Sequence, residues 1–154
     1  MIKIVRTNSE DPHFIVLVKK LDIYLAEKDG EEHGFYSQYN KLDSIKYVLV
    51  AYNNNKAIGC GAIKEYDPNT MEIKRMYTSE ENREKGIGSK ILQELEKWAY
   101  ELSFKKCILE TGKRQIEAIE FYKKNGYRII PNYGQYYKME NSMCFCKEFA
   151  ESTN

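Results

Sequence analysis

A short glycine-containing loop carries the residues of this sequence that are best suited to bind a charged ligand. The loop reads Arg83-Glu84-Lys85-Gly86-Ile87-Gly88-Ser89, and an amphipathic helix is predicted to begin at its glycines. Backbone N–H groups of a glycine loop and of a helix N-terminus can approach a phosphate closely, and the helix dipole favours negative charge there. Because Arg83 and Lys85 add formal positive charge at the same point, we expect this loop to bind a pyrophosphate group.

Two well-known phosphate-binding motifs do not describe this loop. A P-loop requires the spacing GxxxxGK[ST], whereas the two glycines here are separated by a single residue. A dinucleotide-binding fingerprint requires a third glycine at position 91, where this chain has Ile91. It also requires an acidic residue that closes a strand about 20 residues further on, and Glu110 fits that position only loosely. The remaining alternative is a loop whose glycines only permit a tight turn from strand to helix. Arg83 and the strand predicted before the loop favour binding over this alternative.

Composition limits the classes of protein to which the chain can belong. Its 154 residues are the size of one domain, and we predict a single domain over 1–150 with a loose tail at 151–154. The 24 basic and 23 acidic residues are nearly balanced, so nucleic acid and an anionic membrane are not expected partners. No apolar run approaches the roughly 18 residues of a membrane span, and no signal peptide is recognisable at the N-terminus.

The four cysteines indicate neither a metal site nor a disulfide framework. Cys60, Cys107, Cys144 and Cys146 show no paired CxxC spacing and have no histidine neighbours. Zinc is therefore not expected, and reduced thiols indicate a cytoplasmic protein. Cys144 and Cys146 fall on one face of the last predicted strand, where packing in the core is the expected role.

Hydrophobic periodicity predicts a mixed sheet flanked by helices. A first helix begins at Asp11-Pro12 and runs to Gly30, and a short helix with loops is predicted within 31–45. A third helix opens at the glycine loop, with a buried stripe that ends at Leu102, and a fourth covers 116–124. The predicted strands are 2–6, 47–52, 57–65, 71–78, 107–111, 127–130 and 143–149. This order predicts an α+β fold with a mostly antiparallel, twisted sheet of about seven strands, about four helices, and one parallel crossover within 71–111.

The glycine loop and a second segment resemble the two signature motifs of one enzyme family. Arg83-x-x-Gly86-x-Gly88 resembles the Q/R-x-x-G-x-G/A motif of the GNAT superfamily of N-acetyltransferases, which likewise follows a strand and opens a helix. Residues 118–127, AIEFYKKNGY, resemble the second motif of that family, A-x-x-F/L-Y-x-x-x-G-F/Y. The predicted order of elements also matches, so the resemblance covers nearly the whole chain.

The resemblance implies acetyl-CoA as the acyl donor and assigns residues to it. Its pyrophosphate is implied to rest on the amides of Glu84, Lys85, Gly86, Ile87, Gly88 and Ser89, with Arg83 nearby. The pantetheine arm is implied to pair, like an added strand, with main-chain groups of Met76, Tyr77 and Thr78, and a backbone N–H at Met76 or Tyr77 is implied to polarise the thioester carbonyl. Many family members carry Asn three residues before the motif alanine, at a position implied to contact the same arm, whereas this chain has Gln115.

Two side chains are candidates for proton transfer. Tyr122 lies one helical turn after Ala118 and is the candidate general acid, since a phenol with an ordinary pKa near 10 keeps its proton at neutral pH. Its alternative role is packing in the core. Glu72 is the candidate general base, through a bound water, because the central strand of the family runs beside the acceptor. Glu65 and Glu110 also lie at predicted strand ends, and a purely solvated role is the alternative for Glu72. Strand alternation places Glu72 and Lys74 on one face, and Ile73 and Arg75 on the other.

The acceptor is expected to lie near two tyrosine-rich segments, 33–40 and 131–141, with Tyr36, Tyr133, Tyr136 and Tyr137 as possible walls. The predicted function is transfer of an acetyl group from acetyl-CoA to a primary amine of a small molecule by direct attack in a ternary complex. An acetyl-CoA-binding sensor without turnover and a protein lysine or N-terminal acetyltransferase remain alternatives. Homodimerisation is possible, as it is common in the family, and no metal is expected.

Overall fold

The computed structural model describes residues 1–29 and 45–150. Seven strands form one sheet: β1 (Ile2–Thr7), β2 (Tyr47–Asn53), β3 (Lys56–Asp67), β4 (Thr70–Thr78), β5 (Lys106–Gly112), β6 (Arg128–Ile130) and β7 (Ser142–Glu148). Three α-helices accompany them in the described part of the chain: α1 (Pro12–Asp29), α2 (Ile87–Glu101) and α3 (Ile116–Lys124). The predicted short helix within 31–45 falls almost wholly outside the described residues. None of the described helices is long and apolar enough to span a membrane.

The order of strands in the sheet is β1-β2-β3-β4-β5-β7-β6. Neighbouring strands are antiparallel except β4 and β5, which are parallel and connected through α2. The predicted parallel crossover is therefore confirmed, as is the mostly antiparallel mixed sheet. A parallel pair requires a crossover of a dozen or more residues, and α2 supplies it.

Helices cover both faces of the sheet, and alternation along each strand divides the core between them. On one face α1 packs its residues Phe14, Leu17 and Val18 against Val48 and Val50 of β2. We call this the α1 side. On the other face α2 and α3 bury the larger cluster, which includes Leu49, Ile63, Met71, Ile91, Leu95, Ile119 and Phe145. We call this the α2 side.

Local sequence signals explain where the helices begin and end. Asp11 caps α1 because its Oδ1 accepts hydrogen bonds from the backbone N–H groups of His13 and Phe14, at 2.9 and 3.2 Å. Gly126 follows α3 with a φ of 91°, as expected for a glycine at a helix C-terminus. Leu102, which was predicted to end the buried stripe of α2, is instead 36% exposed. It lies beyond the last residue of α2, as the C-cap of this helix.

Candidate functional site

The parallel strands β4 and β5 separate soon after they meet, and this opens the sheet. They are paired only at Thr70–Lys106, Met71–Cys107 and Glu72–Ile108, although β4 continues to Thr78 and β5 to Gly112. The gap between them is part of a cleft of about 780 Å³. Residues from both sides of the sheet line this cleft, including Leu21 and Glu72 on the α1 side and Gly88 and Tyr122 on the α2 side.

The glycine loop forms the wall of the cleft at the start of α2. In this helix the first intrahelical bond runs from the N–H of Lys90 to the carbonyl of Gly86, at 3.1 Å, so the N–H groups of Ile87, Gly88 and Ser89 precede the regular ladder. Within 1–29 and 45–150, no side chain caps this end of the helix. Free N–H donors at the positive end of a helix dipole suit an anion, and these three residues line the cleft.

The two glycines of the loop meet different requirements. Gly86 has a φ of 78°, a left-handed conformation that costs a residue with a side chain roughly 1–2 kcal/mol. A Cβ at Gly88 would lie 3.2 and 3.3 Å from two ring carbons of Phe121, so only a glycine lets α2 and α3 approach so closely here. Both positions therefore require a residue without a side chain, and the conformation of the loop depends on its two glycines.

Replacing Gly86 with alanine is expected to weaken acetyl-CoA binding without causing a steric clash. Nothing lies within 4 Å of the added Cβ, so the effect arises from the strained φ and the displaced N–H groups. We expect the Kd for acetyl-CoA to rise about tenfold, which is about 1.4 kcal/mol. Isothermal titration calorimetry measures this change.

Gly126→Ala is the matched control, because Gly126 also has a left-handed φ and lies after α3 against the aliphatic part of Lys147. Both variants should lose a similar free energy of unfolding, and only Gly86→Ala should lose affinity. An equal affinity for acetyl-CoA in the two variants would show that the loop does not bind it.

The structure brings the other predicted donor-binding residues to the same cleft, with one exception. Met76, Tyr77, Thr78, Arg83, Glu84 and Gln115 all line it. Lys85 is exposed and is not part of the lining. Arg83 donates from Nε to the carbonyl of Thr78 at 2.9 Å, and its guanidinium lies over the rings of Tyr24 and Tyr77. Beyond Glu72, β4 pairs with none of the described strands on its β5 side, and its residues there line the cleft.

Tyr122 lies on α3 at the α2 side of the cleft, and it belongs to both the core and the lining. Its ring is held edge-on by Phe121 and Tyr127, at centroid distances of 5.1 and 5.7 Å, and packs at a tilt against Phe145 at 6.1 Å. Burial raises the pKa of its phenol above the ordinary value. The two roles that the sequence left open, packing and proton donation, are therefore compatible in this position.

A polar network behind α3 fixes the position of this helix. The hydroxyl of Tyr127 donates to Glu96 Oε2 at 2.8 Å, and Lys147 Nζ donates to Glu96 Oε1 at 3.0 Å. Lys147 also donates to the carbonyl of Asn125, the residue after α3, at 3.0 Å. Glu96 on α2 therefore connects β7 and the end of α3, and through the ring of Tyr127 it restrains Tyr122.

Glu72 lies on the α1 side, at the point where β4 and β5 separate. The side chain is buried, and its Oε2 accepts a hydrogen bond from the hydroxyl of Tyr133 at 2.5 Å. Of the alternative carboxylates, Glu110 also lines the cleft, whereas Glu65 is exposed and does not. Glu72 and Tyr122 thus approach the cleft from opposite sides of the sheet.

The predicted alternation along β4 is wrong at Arg75, because the strand contains a β-bulge. Pairing with β3 passes from Cys60–Tyr77 to Ala62–Lys74, which leaves one extra residue in β4. Arg75 has a φ of 59°, and its Nη2 donates to Asp22 Oδ1 of α1 at 2.7 Å. Arg75 therefore lies on the α1 side of the sheet, whereas Ile73 lies on the α2 side. The sequence had placed these two residues on the same face.

Sequence analysis missed several residues on the α1 side of the cleft. Leu21, Tyr24 and Leu25 of α1 line it, as do Lys74 and Arg75. Burial lowers the pKa of Lys74, although the nearby carboxylates of Glu72 and Glu110 oppose this. The signal in the sequence was the pair of adjacent cations, Lys74 and Arg75, placed directly between the apolar residues Ile73 and Met76 of one strand.

Of the four tyrosines predicted as walls, Tyr136 is buried and lines the cleft, and Tyr133 contacts Glu72. Tyr137 is 72% exposed and does not line the cleft, so of the two roles that the sequence left open, wall or surface tyrosine, it has the second. Tyr36 and the whole segment 33–40 lie outside the described residues. Cys144 and Cys146 are buried in the sheet, as predicted. Across 1–29 and 45–150, no three His, Cys, Asp or Glu side chains come together as a metal site.

Comparison with known proteins agrees with this geometry. Residues 14–127 match the model of the acetyltransferase (GNAT) family. An IAA acetyltransferase of Azospirillum brasilense is 28% identical over 138 residues, which cover 88% of this chain and 90% of that protein. A solved structure of a protein assigned as an acyl-CoA N-acyltransferase from Klebsiella pneumoniae is 28% identical, with a TM-score of 0.80 over 96% of this chain and 97% of that one.

A GNAT family acetyltransferase from Elizabethkingia anophelis, solved with acetyl-CoA bound, shares the fold with a TM-score of 0.71 and 23% identity, over 96% of this chain and 98% of that one. The family model covers well over half of the sequence and includes both the glycine loop and the segment around Tyr122. The chain therefore belongs to the GNAT family of acetyl-CoA-dependent N-acetyltransferases.

Proposed function

We propose that the protein transfers an acetyl group from acetyl-CoA to a primary amine of a small molecule, by direct attack in a ternary complex. The observation that carries this proposal is the single cleft between β4 and β5, which is lined from both sides of the sheet. A donor seated against α2 and α3 and an acceptor seated against α1 would meet in the gap between the strands. One cleft can therefore hold both substrates at once.

The donor side of the cleft fits acetyl-CoA. Three N–H groups at the start of α2 suit its pyrophosphate, and the unpaired edge of β4 at Met76, Tyr77 and Thr78 offers main-chain groups to the pantetheine arm. The bulge at Arg75 leaves main-chain groups there out of register with β3, so an N–H at Met76 or Tyr77 is our proposed donor to the thioester carbonyl. A carbonyl that accepts such a bond is polarised toward attack.

Two side chains would move the protons. Glu72, assisted by a water molecule, would accept the proton that the attacking amine loses, and Tyr133 would hold its carboxylate in place through their hydrogen bond. Tyr122 would donate a proton to the departing thiolate from the α2 side. Because burial raises the pKa of Tyr122, its phenol is protonated and able to donate throughout the neutral range.

A covalent acetyl-enzyme is not needed, and the cysteines are poorly placed to form one. All four are buried, and none lines the cleft. Burial raises the pKa of each thiol, that of Cys60 to about 12 and that of Cys144 to about 11. Since the thiolate is the nucleophile, these thiols are unreactive at neutral pH.

Steady-state kinetics with both substrates varied test this mechanism. Small primary amines should give intersecting double-reciprocal lines, and the protein incubated with acetyl-CoA alone should keep its unmodified mass. Parallel lines together with an added acetyl group on the protein would contradict direct attack. Higher kcat/KM for lysine-containing or N-terminal peptides than for every small amine would favour a protein acetyltransferase instead.

A further inference from the structure

Arg75 is a buried arginine whose hydrogen-bonding capacity is mostly unused. Its side chain is 1% exposed, and its Nη2 binds Asp22, which is itself 50% exposed. The Nε and Nη1 atoms are shielded from solvent and, among the residues that the structure describes, have no hydrogen-bond partner. A guanidinium presents five N–H donors in a planar fork, so at least half of this group is left unsatisfied.

This arrangement is costly for the folded protein. A buried donor without a partner destabilises the folded state, and more so when it is charged, and the left-handed φ of Arg75 adds backbone strain. The single bond to a half-exposed aspartate offsets only part of this, because solvent screens that pair. Strain and unsatisfied polar groups of this kind concentrate where a ligand supplies the missing interaction.

The neighbours of Arg75 indicate which ligand this would be. Arg75 lines the cleft directly before Met76 and Tyr77, the proposed position of the thioester carbonyl. Along the same side of β4, the carboxylate of Glu72 is followed by the cations of Lys74 and Arg75. A negative group followed by positive groups complements a molecule with an amine at one end and an anion at the other.

We propose that Arg75 binds a carboxylate of the acceptor, so that the acceptor is an amino acid or a similar short aminocarboxylate. Arg75 directly precedes Met76 and Tyr77 in β4, and all three line the same cleft, so an acceptor whose carboxylate binds Arg75 would have its amine in the part of the cleft where the thioester carbonyl is proposed to lie. Guanidinium and carboxylate match each other in a two-bond geometry. On binding, the carboxylate takes the place of the protein groups that now shield Nε and Nη1.

The inference rests on the proposed function, and the competing explanation is structural. In that explanation Arg75 serves only to attach the bulge of β4 to α1 through Asp22. The two explanations differ in what they predict for the choice of acceptor. A structural arginine affects all acceptors alike, whereas a carboxylate-binding arginine affects only those that carry the charge.

The test compares amino acids with their C-terminal amides as acceptors: leucine, phenylalanine, glutamate and lysine, each against its amide, by thiol release from acetyl-CoA. We expect kcat/KM to be at least tenfold higher for the amino acids, even though the amine of each amide is less basic and more often neutral. Arg75→Met should remove this preference and leave the KM for acetyl-CoA unchanged. Equal use of acid and amide by the wild-type protein would overturn the proposal.

Asp22→Asn provides a second variant, should Arg75→Met fail to fold. Removing this competing carboxylate leaves the guanidinium charge uncompensated, so the KM for the amino acid should fall several-fold while that for its amide stays the same. A KM that is unchanged for both acceptors would contradict the proposal. If amines without a carboxylate are acetylated as well as the amino acids, the N-acetyltransferase function stands and only the role of Arg75 is rejected. No thiol release with any acceptor would reject both.

Discussion

Replacing Tyr122 with phenylalanine is expected to lower kcat about 100-fold, with little change in the KM for acetyl-CoA. This is within the range for removal of a general acid and equals about 2.7 kcal/mol of transition-state free energy. The phenyl ring keeps the contacts with Phe121, Tyr127 and Phe145, so the fold should be retained. Stopped-assay kinetics with a saturating amine measure the effect.

The pH dependence of the wild-type rate gives a second measurement of the role of Tyr122. A general acid acts in its protonated form, below its pKa, and burial raises the pKa of Tyr122. The decline in rate that deprotonation of Tyr122 would cause therefore moves to higher pH, and the wild-type rate should not decline between neutral and mildly alkaline pH because of this group. Tyr100→Phe is the matched control, since Tyr100 is 50% exposed on α2 outside the cleft, and it should keep the wild-type kcat. A Tyr122→Phe variant with the turnover of Tyr100→Phe would eliminate the proposed acid.

Glu72→Gln is the change with the second largest expected effect. Glutamine is nearly the same size and can still accept a hydrogen bond from Tyr133, but it cannot take up the proton of the amine. We expect kcat/KM for the acceptor to fall about 30-fold at neutral pH, or about 2 kcal/mol. The deficit should shrink as pH rises, because a larger fraction of the free amine is then neutral and carries no ammonium proton that a base must remove before attack.

Two further carboxylates serve as controls for this prediction. Glu65→Gln changes an exposed residue at the end of β3 and should have no effect. Glu110→Gln changes a second cleft carboxylate, the alternative base on β5. If Glu72 is the base, any loss of activity in Glu110→Gln should not recover at high pH. If Glu110→Gln showed the pH-dependent loss and Glu72→Gln did not, Glu110 would be the base. Both profiles come from the same thiol-release assay.

Much of the fold follows from local signals in the sequence. The cap at Asp11, the glycine after α3 and the asparagine turn between β2 and β3 are each read from residue type and spacing. Asn54 and Asn55 have φ values of 50° and 72°, as a tight hairpin turn requires. These features depend on neighbours in sequence, and the two strand faces then follow from alternation along each strand.

The arrangement of the site depends on contacts that sequence spacing does not contain. The bulge at Arg75 inserts one residue into β4, and alternation therefore fails beyond Lys74. Where β4 and β5 separate depends on the register between two strands more than thirty positions apart, so the cleft was not predictable in detail. The bond between Tyr133 and Glu72, and that between Tyr127 and Glu96, likewise join distant parts of the chain. The glycine loop and Tyr122 were recognisable because each belongs to a continuous motif.

Thiol release from acetyl-CoA, measured together with the mass of the acceptor product over a panel of amines, amino acids, polyamines and peptides, tests the central claim most directly. The proposed function predicts that at least one small primary amine releases one equivalent of CoA for each acetyl group it gains, and that Tyr122→Phe slows both together. Tight binding of acetyl-CoA with no release of CoA in the presence of any acceptor would contradict the claim and indicate a binding protein without turnover.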